Sequence, residues 1–195
     1  TYEKNDIRSI FNKARGFGSD VTSFYNFTTA EEILTPLTNF REVGLMSSLL
    51  RVGYNYNRKY FVDVNARIDA SSKFATNKKS ALFPSVALSW FASKEKFMSS
   101  LKEINSLKFR FSYGKIGSNP ISPYQSLALM AAIRYNFDDE IVTGFYESNL
   151  ANDDLTWETT DQFNFGIDLS LFESKLNFTI DAYHKLTHDL LQNVQ

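Results

Sequence analysis

From Lys59 onward the chain alternates, with Tyr60, Val62, Val64, Ala66 and Ile68 on one face. Asp63, Asn65, Arg67 and Asp69 lie on the other, joined there only by Phe61. Successive side chains of a strand point to opposite faces, so such a run specifies a β-strand with one apolar and one polar side. The pattern recurs. Val52, Tyr54 and Tyr56 stand against Gly53, Asn55 and Asn57; Leu82, Pro84, Val86, Leu88 and Trp90 against Ser85, Ala87 and Ser89. Leu107, Phe109, Phe111 and Tyr113 alternate with Lys108, Arg110, Ser112 and Gly114. Phe163, Phe165, Ile167, Leu169 and Leu171 face away from Gln162, Asn164, Gly166, Asp168 and Ser170, and Leu176, Phe178, Ile180 and Ala182 from Asn177, Thr179 and Asp181. Several runs exceed the ~5–6 residues of an ordinary globular strand and reach the ~9–11 needed to cross a bilayer at a tilt.

Connections between the runs alternate in length. Asn57-Arg58 and Phe172-Glu173-Ser174 are tight turns, whereas 71–81 and 117–155 are long. Short turns on one side and long loops on the other are the topology of outer-membrane barrels. Ser93–Leu101 is the exception, a short helical connection where a tight turn is expected. Pro84 is tolerable near a strand start, where no ladder donor need be lost. Asp6–Arg15 is predicted to be helical: Ile7, Ile10, Phe11 and Ala14 recur at helical spacing, Asp6 caps the start and Gly16 ends it. The strand-like pieces between Tyr124 and Tyr146 fit either the wall of a sheet or a hairpin within a loop. Alternation with one apolar face also describes a soluble antiparallel sandwich, so periodicity leaves both architectures open.

Composition narrows the field. The chain holds 18 Phe and 10 Tyr at a mean hydropathy of −0.29, rich in β-formers without being greasy. A formal net charge of −1 gives no nucleic-acid footprint, and the absence of cysteine removes disulfides and thiolate metal sites. No run has the apolar length of a membrane-spanning helix. Thr1-Tyr2-Glu3-Lys4 lacks the apolar core of a signal peptide, so the chain is expected to have lost its leader or to start in the middle of a longer protein.

Catalytic and metal chemistry finds little support. His184 and His188 are four apart within a strand pattern, a step of about 13 Å that is too far for a shared ion. Asp138-Asp139-Glu140 and Asn152-Asp153-Asp154 are acidic loop clusters without EF-hand spacing. Asn26-Phe27-Thr28 and Asn177-Phe178-Thr179 match the glycosylation triplet and carry little weight. Neither a Gly-rich phosphate loop nor a nucleophile elbow is present. No catalytic residue, metal or cofactor is expected, and the chain is expected not to be an enzyme.

An ordered series of strings is more specific than periodicity. It runs Arg51-Val52-Gly53-Tyr54-Asn55-Tyr56, Lys59-Tyr60, Arg67-Ile68-Asp69-Ala70-Ser71-Ser72-Lys73-Phe74, Phe83-Pro84-Ser85-Val86, Trp90, Glu95 and Phe97. It continues with Leu107-Lys108-Phe109-Arg110-Phe111-Ser112-Tyr113-Gly114, Asn149-Leu150-Ala151-Asn152 and Leu155-Thr156-Trp157-Glu158-Thr159-Thr160. Gly166-Ile167-Asp168 and Tyr183-His184-Lys185-Leu186-Thr187 close it. In this order and spacing the series resembles the SusC/RagA-type TonB-dependent transporters of Bacteroidetes, from about Gly16 to the end. Ala70 and Ala75 stand where that family usually has glycine, and Lys73 where arginine is common, which touches only local turn geometry.

The resemblance implies an all-β fold, part of a 22-stranded antiparallel transmembrane β-barrel in the bacterial outer membrane, with an N-terminal plug and a TonB box that this sequence does not show. It implies import of oligosaccharides or peptides, a SusD-like surface lipoprotein as lid, and drive by the TonB–ExbB–ExbD complex. On that reading residues 1–39 form an extracellular loop region with the short helix, and 40–195 form barrel wall strands and loops. With the apolar faces toward outer-membrane lipid, Asp63, Asn65, Arg67, Asn164, Asp168 and Asp181 become the lumen-facing, substrate-binding candidates. Trp90 and Trp157, near predicted strand ends, are candidate lipid–water interface aromatics, although an ordinary buried indole fits either one as well. The competing readings are a soluble β-sandwich carbohydrate-binding module and a passive porin-like barrel.

Overall fold

The computed structural model describes residues 1–19, 21, 25–138 and 140–192. Its main element is a seven-stranded antiparallel sheet built from β1 (Tyr2–Phe11), β4 (Leu37–Tyr56), β5 (Tyr60–Ser71), β6 (Ser80–Phe91), β7 (Ile104–Ser118), β10 (Glu158–Leu171) and β11 (Leu176–His188), adjacent in that order. Two hairpins are inserted into this meander as separate sheets. β2 (Ala14–Phe17) pairs with β3 (Ala30–Ile33), and β8 (Leu129–Phe137) with β9 (Glu140–Asn149). The segment between Tyr124 and Tyr146 is therefore a loop hairpin: β7 passes directly to β10 in the sheet.

One end of the sheet carries tight connections. Asn57 and Arg58 are left-handed (φ 53° and 56°), the Lys59 amide donates to the Tyr56 carbonyl, and Asn55 Oδ1 accepts from the Arg58 amide. These signs of φ match the twist of the flanking strands, which makes such turns the favoured hairpin closures. Phe172, Glu173 and Ser174 are left-handed as well, braced by Asn105 Oδ1, which accepts from the Ser174 amide at 3.1 Å. The β6–β7 connection contains two 3-10 turns, Ala92–Lys94 and Lys96–Met98, in keeping with the helical character expected of it.

The first ten residues correct the sequence reading. Asp6–Arg15 is no helix: Tyr2–Phe11 is a strand whose register runs from Tyr2 opposite Met46 to Phe11 opposite Leu37. The main sheet consequently begins well before residue 40, and a 3-10 turn lies at Phe27–Thr29, capped by Asn26. Helical spacing misled because period two fails here. On the face that is apolar lower in β4, this stretch places Lys4, Asp6 and Glu42, with Lys4 Nζ 2.8 Å from Glu42. Pairing with β4 overrides local propensity.

At the long-loop end the β6–β7 ladder starts at Ser85 opposite Gly114, directly after Pro84, which has no N–H to offer. Beyond it the two strands are unpaired, and a small core fills the gap. Phe74, Phe83, Ile121 and Trp157 form it, with Leu45, Ala81, Leu155 and Leu191 against its rim. Trp157 is only 5% exposed, its ring 5.1 Å from Phe74 and 5.5 Å from Phe83, and its Nε1 donates to the Lys79 carbonyl. The placement of Trp157 at a lipid–water boundary is thus overturned, because Phe83 and the loops carrying Phe74 and Ile121 close over it. Lys73 Nζ to the Asn119 carbonyl and Ser126 Oγ to the Lys73 carbonyl tie those loops together.

Gly117 leaves the space that Phe83 occupies; a Cβ there would fall on the Phe83 ring. Gly117→Ala should displace the ring and cost about 1–3 kcal/mol, the usual penalty for overpacking. Trp157→Ala should cost about 3–5 kcal/mol. Urea unfolding of the folded protein, followed by tyrosine and tryptophan fluorescence, measures both, and an unchanged midpoint for Trp157→Ala would refute the role given to this core.

Candidate functional site

The sheet's two faces differ chemically. One carries Leu50, Val52, Tyr54 and Tyr56 on β4, Val64 and Ile68 on β5, Leu82 and Leu88 on β6, Phe163 and Phe165 on β10, and Phe178 and Ile180 on β11, all exposed. A continuous exposed apolar face of this extent marks an interaction with lipid or protein. From Tyr60 to Ala70 it runs about 33 Å along β5 at about 3.3 Å per residue, or about 25 Å once tilted, the height of the apolar band of a transmembrane barrel. Charge bounds it at the loop end, where Lys4 meets Glu42, and where Asp161 takes Lys115 at 3.7 Å, His188 at 3.5 Å and the Tyr113 hydroxyl at 2.6 Å. His184 and His188 both lie in β11, on this face.

The opposite face gathers all six lumen candidates. Asp63 receives Arg51 from β4 at 2.8 Å, Asn65 donates to Ser85 on β6, and Arg67 donates to both oxygens of Asp69 at 2.8 and 2.9 Å. Asn164 donates to Ser112 and accepts from Gln162. Asp168 and Asp181 converge on one guanidinium: Arg110 Nε and Nη2 reach Asp168 at 2.9 and 3.0 Å, and Nη2 reaches Asp181 at 2.9 Å. Gly166 makes this possible, since a Cβ there would stand 2.7 Å from the Arg110 Cζ and 2.5 Å from an Asp181 oxygen.

Two of the cavities on this face extend from β5 to β10. The larger, about 610 Å³, is lined by Asn65, Arg67, Ser85, Ser112, Gln162 and Asn164 among others, below the Phe83–Gly117 contact. The smaller, about 280 Å³, adjoins Asp63, Arg110 and Gly166. Arg51, Arg110, Ser112 and Gln162 were not among the residues singled out from the sequence. Their parity placed them on the polar face, but the partner of each was invisible without the register. The arrangement orders neutral donors and acceptors between neutralised ion pairs, suited to holding a polar ligand rather than to transferring a group. Among the described residues no cluster of three metal-ligating side chains occurs, and Asp139 of the acidic loop cluster lies outside them. Asn152 Oδ1 accepts from the Asp154 amide within its own loop.

A second polar cluster closes the tight-turn end. Glu95, in the β6–β7 connection, accepts from the Tyr60 hydroxyl at 2.8 Å, Lys59 Nζ at 3.0 Å and Trp90 Nε1 at 3.4 Å. The Tyr60 hydrogen bond, followed by Lys59, holds the carboxyl below its ordinary value of 4.5 against an opposing effect of burial. Trp90, one of the two expected interface aromatics, stacks between Tyr60 and Phe109 near the margin of the apolar face.

An antiparallel meander with one lipid-height apolar face, a polar face of paired charges, and turns short at one end and long at the other is the wall of a transmembrane β-barrel. The family described as TonB dependent receptor-like, beta-barrel matches residues 5–195, and the chain belongs to it. TonB-dependent receptor P39 of Formosa agariphila is 40% identical over 195 residues, covering 99% of this chain and 18% of the relative. TonB-dependent receptor P3 of the same organism is 37% identical (98% of this chain, 19% of the relative), and SusC of Bacteroides thetaiotaomicron 29% identical (99% and 19%). The structure of the RagAB peptide transporter superposes with a TM-score of 0.82 at 28% identity, over 99% of this chain and 21% of that one. The chain thus spans about a fifth of the length of these relatives, a fragment of a SusC/RagA-type barrel.

Two consequences can be measured. Arg110→Gln should weaken folding by on the order of 1 kcal/mol, because the paired side chains are a third to a half exposed and solvent screens them. A double-mutant cycle with Asp168→Asn should show coupling above zero, and strict additivity would break the assignment. Glu95 has a depressed folded-state pKa, so its contribution is complete above pH 4.5 and is lost as pH falls through the lower folded value. Glu95→Gln should accordingly flatten the stability profile below pH 4.5 and leave the slope near neutrality unaltered, as read from urea midpoints across that range.

Proposed function

We propose that this segment forms part of the wall of an outer-membrane importer that takes up oligosaccharides or peptides, with a SusD-like lipoprotein as lid and TonB–ExbB–ExbD as the source of drive. The observation that carries the reading is the division of one sheet into a lipid-height apolar face and a hydrogen-bonding polar face holding a cavity of about 610 Å³. On this reading Asp63, Asn65, Arg67, Asn164, Asp168 and Asp181 face the lumen. Asn65 and Asn164 supply neutral hydrogen bonds to a passing ligand, while Asp63, Asp168 and Asp181 neutralise arginines that would otherwise trap an anion. The loops from 119 to 157 stand at the outer surface, where the lid would sit. The relatives named as TonB-dependent receptors and the peptide transporter RagAB support the class.

The test uses the whole transporter in its native bacterium. Uptake of the polymer that induces the gene should depend on TonB and fall roughly threefold to tenfold when Asn65 and Asn164 are both changed to leucine, as expected for lost hydrogen bonds. Uptake that persists without TonB would favour a passive porin instead. Recovery of the protein in the soluble fraction would favour the β-sandwich reading.

A further inference from the structure

The tight-turn end of the apolar face carries more than scattered aromatics. Tyr60, Trp90, Phe109 and Phe165 stand side by side on β5, β6, β7 and β10. Their ring centroids are 6.5, 5.6 and 6.5 Å apart, with interplanar angles of 3°, 26° and 30°. Between them and Val62, Leu88 and Phe111 lies a groove of about 350 Å³ whose lining is almost wholly apolar. The rim is polar and fixed: Tyr60 and Trp90 both donate to Glu95, and Lys59 neutralises that carboxylate. A row of four rings, of which Tyr60 and Trp90 have their polar edges drawn to Glu95, suits the level where hydrocarbon gives way to headgroups.

The connections immediately beyond this rim are basic. Arg58, Lys59, Lys94, Lys96, Lys102 and Lys175 stand in them against Glu95, Glu103 and Glu173. Lys59 is taken by Glu95, and Lys94 Nζ donates to the Arg58 carbonyl, which ties the β4–β5 turn to the β6–β7 connection. Arg58, Lys96 and Lys102 are exposed and have no carboxylate partner among the described residues. Phe97, 65% exposed, is adjacent to Lys96. At the opposite end of the apolar face the bounding charges are paired with one another. Lys13, Lys78 and Lys79 also lack a carboxylate partner among the described residues at that end, but carboxylates outnumber cations in its connections, so the net positive charge lies at the tight-turn end, next to the groove.

We infer that the Tyr60–Trp90–Phe109–Phe165 groove with Arg58, Lys96 and Lys102 is a binding site for an anionic phospholipid of the leaflet at the tight-turn end. One acyl chain lies along the stacked rings, and the phosphate meets the cations of the two tied connections. Basic residues near an anionic lipid surface attract it additively, and apolar surface supplies the seat for the chain. The inference rests on the membrane reading of the apolar face and goes beyond it by assigning headgroup charge and leaflet.

The full-length transporter is reconstituted into dioleoylphosphatidylcholine vesicles that contain or lack dioleoylphosphatidylglycerol brominated on its acyl chains. Emission is compared between the native protein and Trp90→Phe, so that the Trp90 component is isolated. Brominated phosphatidylglycerol should quench that component more strongly than brominated phosphatidylcholine at equal mole fraction. The preference should fall about fivefold for each cation removed in the series Arg58→Gln, Lys96→Gln and Lys102→Gln. Equal quenching by the two lipids, or a preference that survives the triple variant, overturns the site. Failure of the protein to insert at all, seen by flotation, would strike the membrane reading instead and is read separately. Phe109→Leu, which shortens the ring stack and keeps the charges, should weaken quenching by both lipids alike; a selective loss for the anionic lipid alone would also overturn the assignment.

Discussion

Everything in this chain depends on the backbone ladder behind the apolar face. From β4 to β11 each strand is bonded to its neighbour through the turn-end half of that face, and of these pairs β6–β7 parts beyond Ser85 and Gly114. In hydrocarbon an unpaired amide or carbonyl costs several kcal/mol, so pairing there is obligatory, whereas at the ends it is optional. The irregularities cluster away from the middle of the ladder. Pro84, the divergence of β6 from β7 and the inserted hairpins lie toward the loop end, and the register shift at Ser170/Leu171 lies at the turn end.

The same constraint explains how charge is distributed. Along the polar face arginines and carboxylates neutralise one another across strands, as Arg51 does with Asp63, and Arg110 with Asp168 and Asp181. Arg51–Asp63 and Arg110–Asp168 join neighbouring strands and Arg110–Asp181 reaches across β10, all on one face, so the pairs also fix register, which a one-residue slip would invert. Gly166 and Gly53 leave room for these crossings: a Cβ at Gly53 would come within 3.1 Å of an Asp63 oxygen. Polar groups on this face thereby support the ladder while offering a neutral, hydrogen-bonding surface.

How far the sequence disclosed this depends on whether a segment is two-faced. Where one side meets an apolar medium and the other a polar one, as in 60–69 and 163–182, period two is strong and both the strands and the face of all six candidate residues were legible. Where both sides are polar, as in Tyr2–Phe11 against Leu37–Leu45, the alternation fades and an accidental helical spacing in Ile7, Ile10, Phe11 and Ala14 takes its place. Trp157 was misplaced for another reason. Its burial depends on Phe74 and Ile121 from other loops and on Phe83 of β6, and no local pattern encodes that meeting. Arg110 lay between these cases: its face could be read, but its two carboxylate partners are 58 and 71 residues distant.

The two ends of the sheet embody different uses of sequence. At the turn end, left-handed Asn57, Arg58, Phe172, Glu173 and Ser174 close the hairpins with few residues, and the Glu95 cluster locks the aromatic rim against them. Short closures leave little freedom and keep neighbouring strands in step. At the loop end the 39 residues between Ser118 and Glu158 fold back instead. The Tyr124 hydroxyl reaches the Glu42 amide on β4, and Asn149 Nδ2 holds the base of the β8–β9 hairpin to the Gln125 and Leu127 carbonyls. A loop of this length is stable only with a core of its own, which Trp157 and its neighbours supply. Of the four residues of that core only Phe83 belongs to a paired strand, so changes in the loop residues leave the register of the wall beneath to its own ladder.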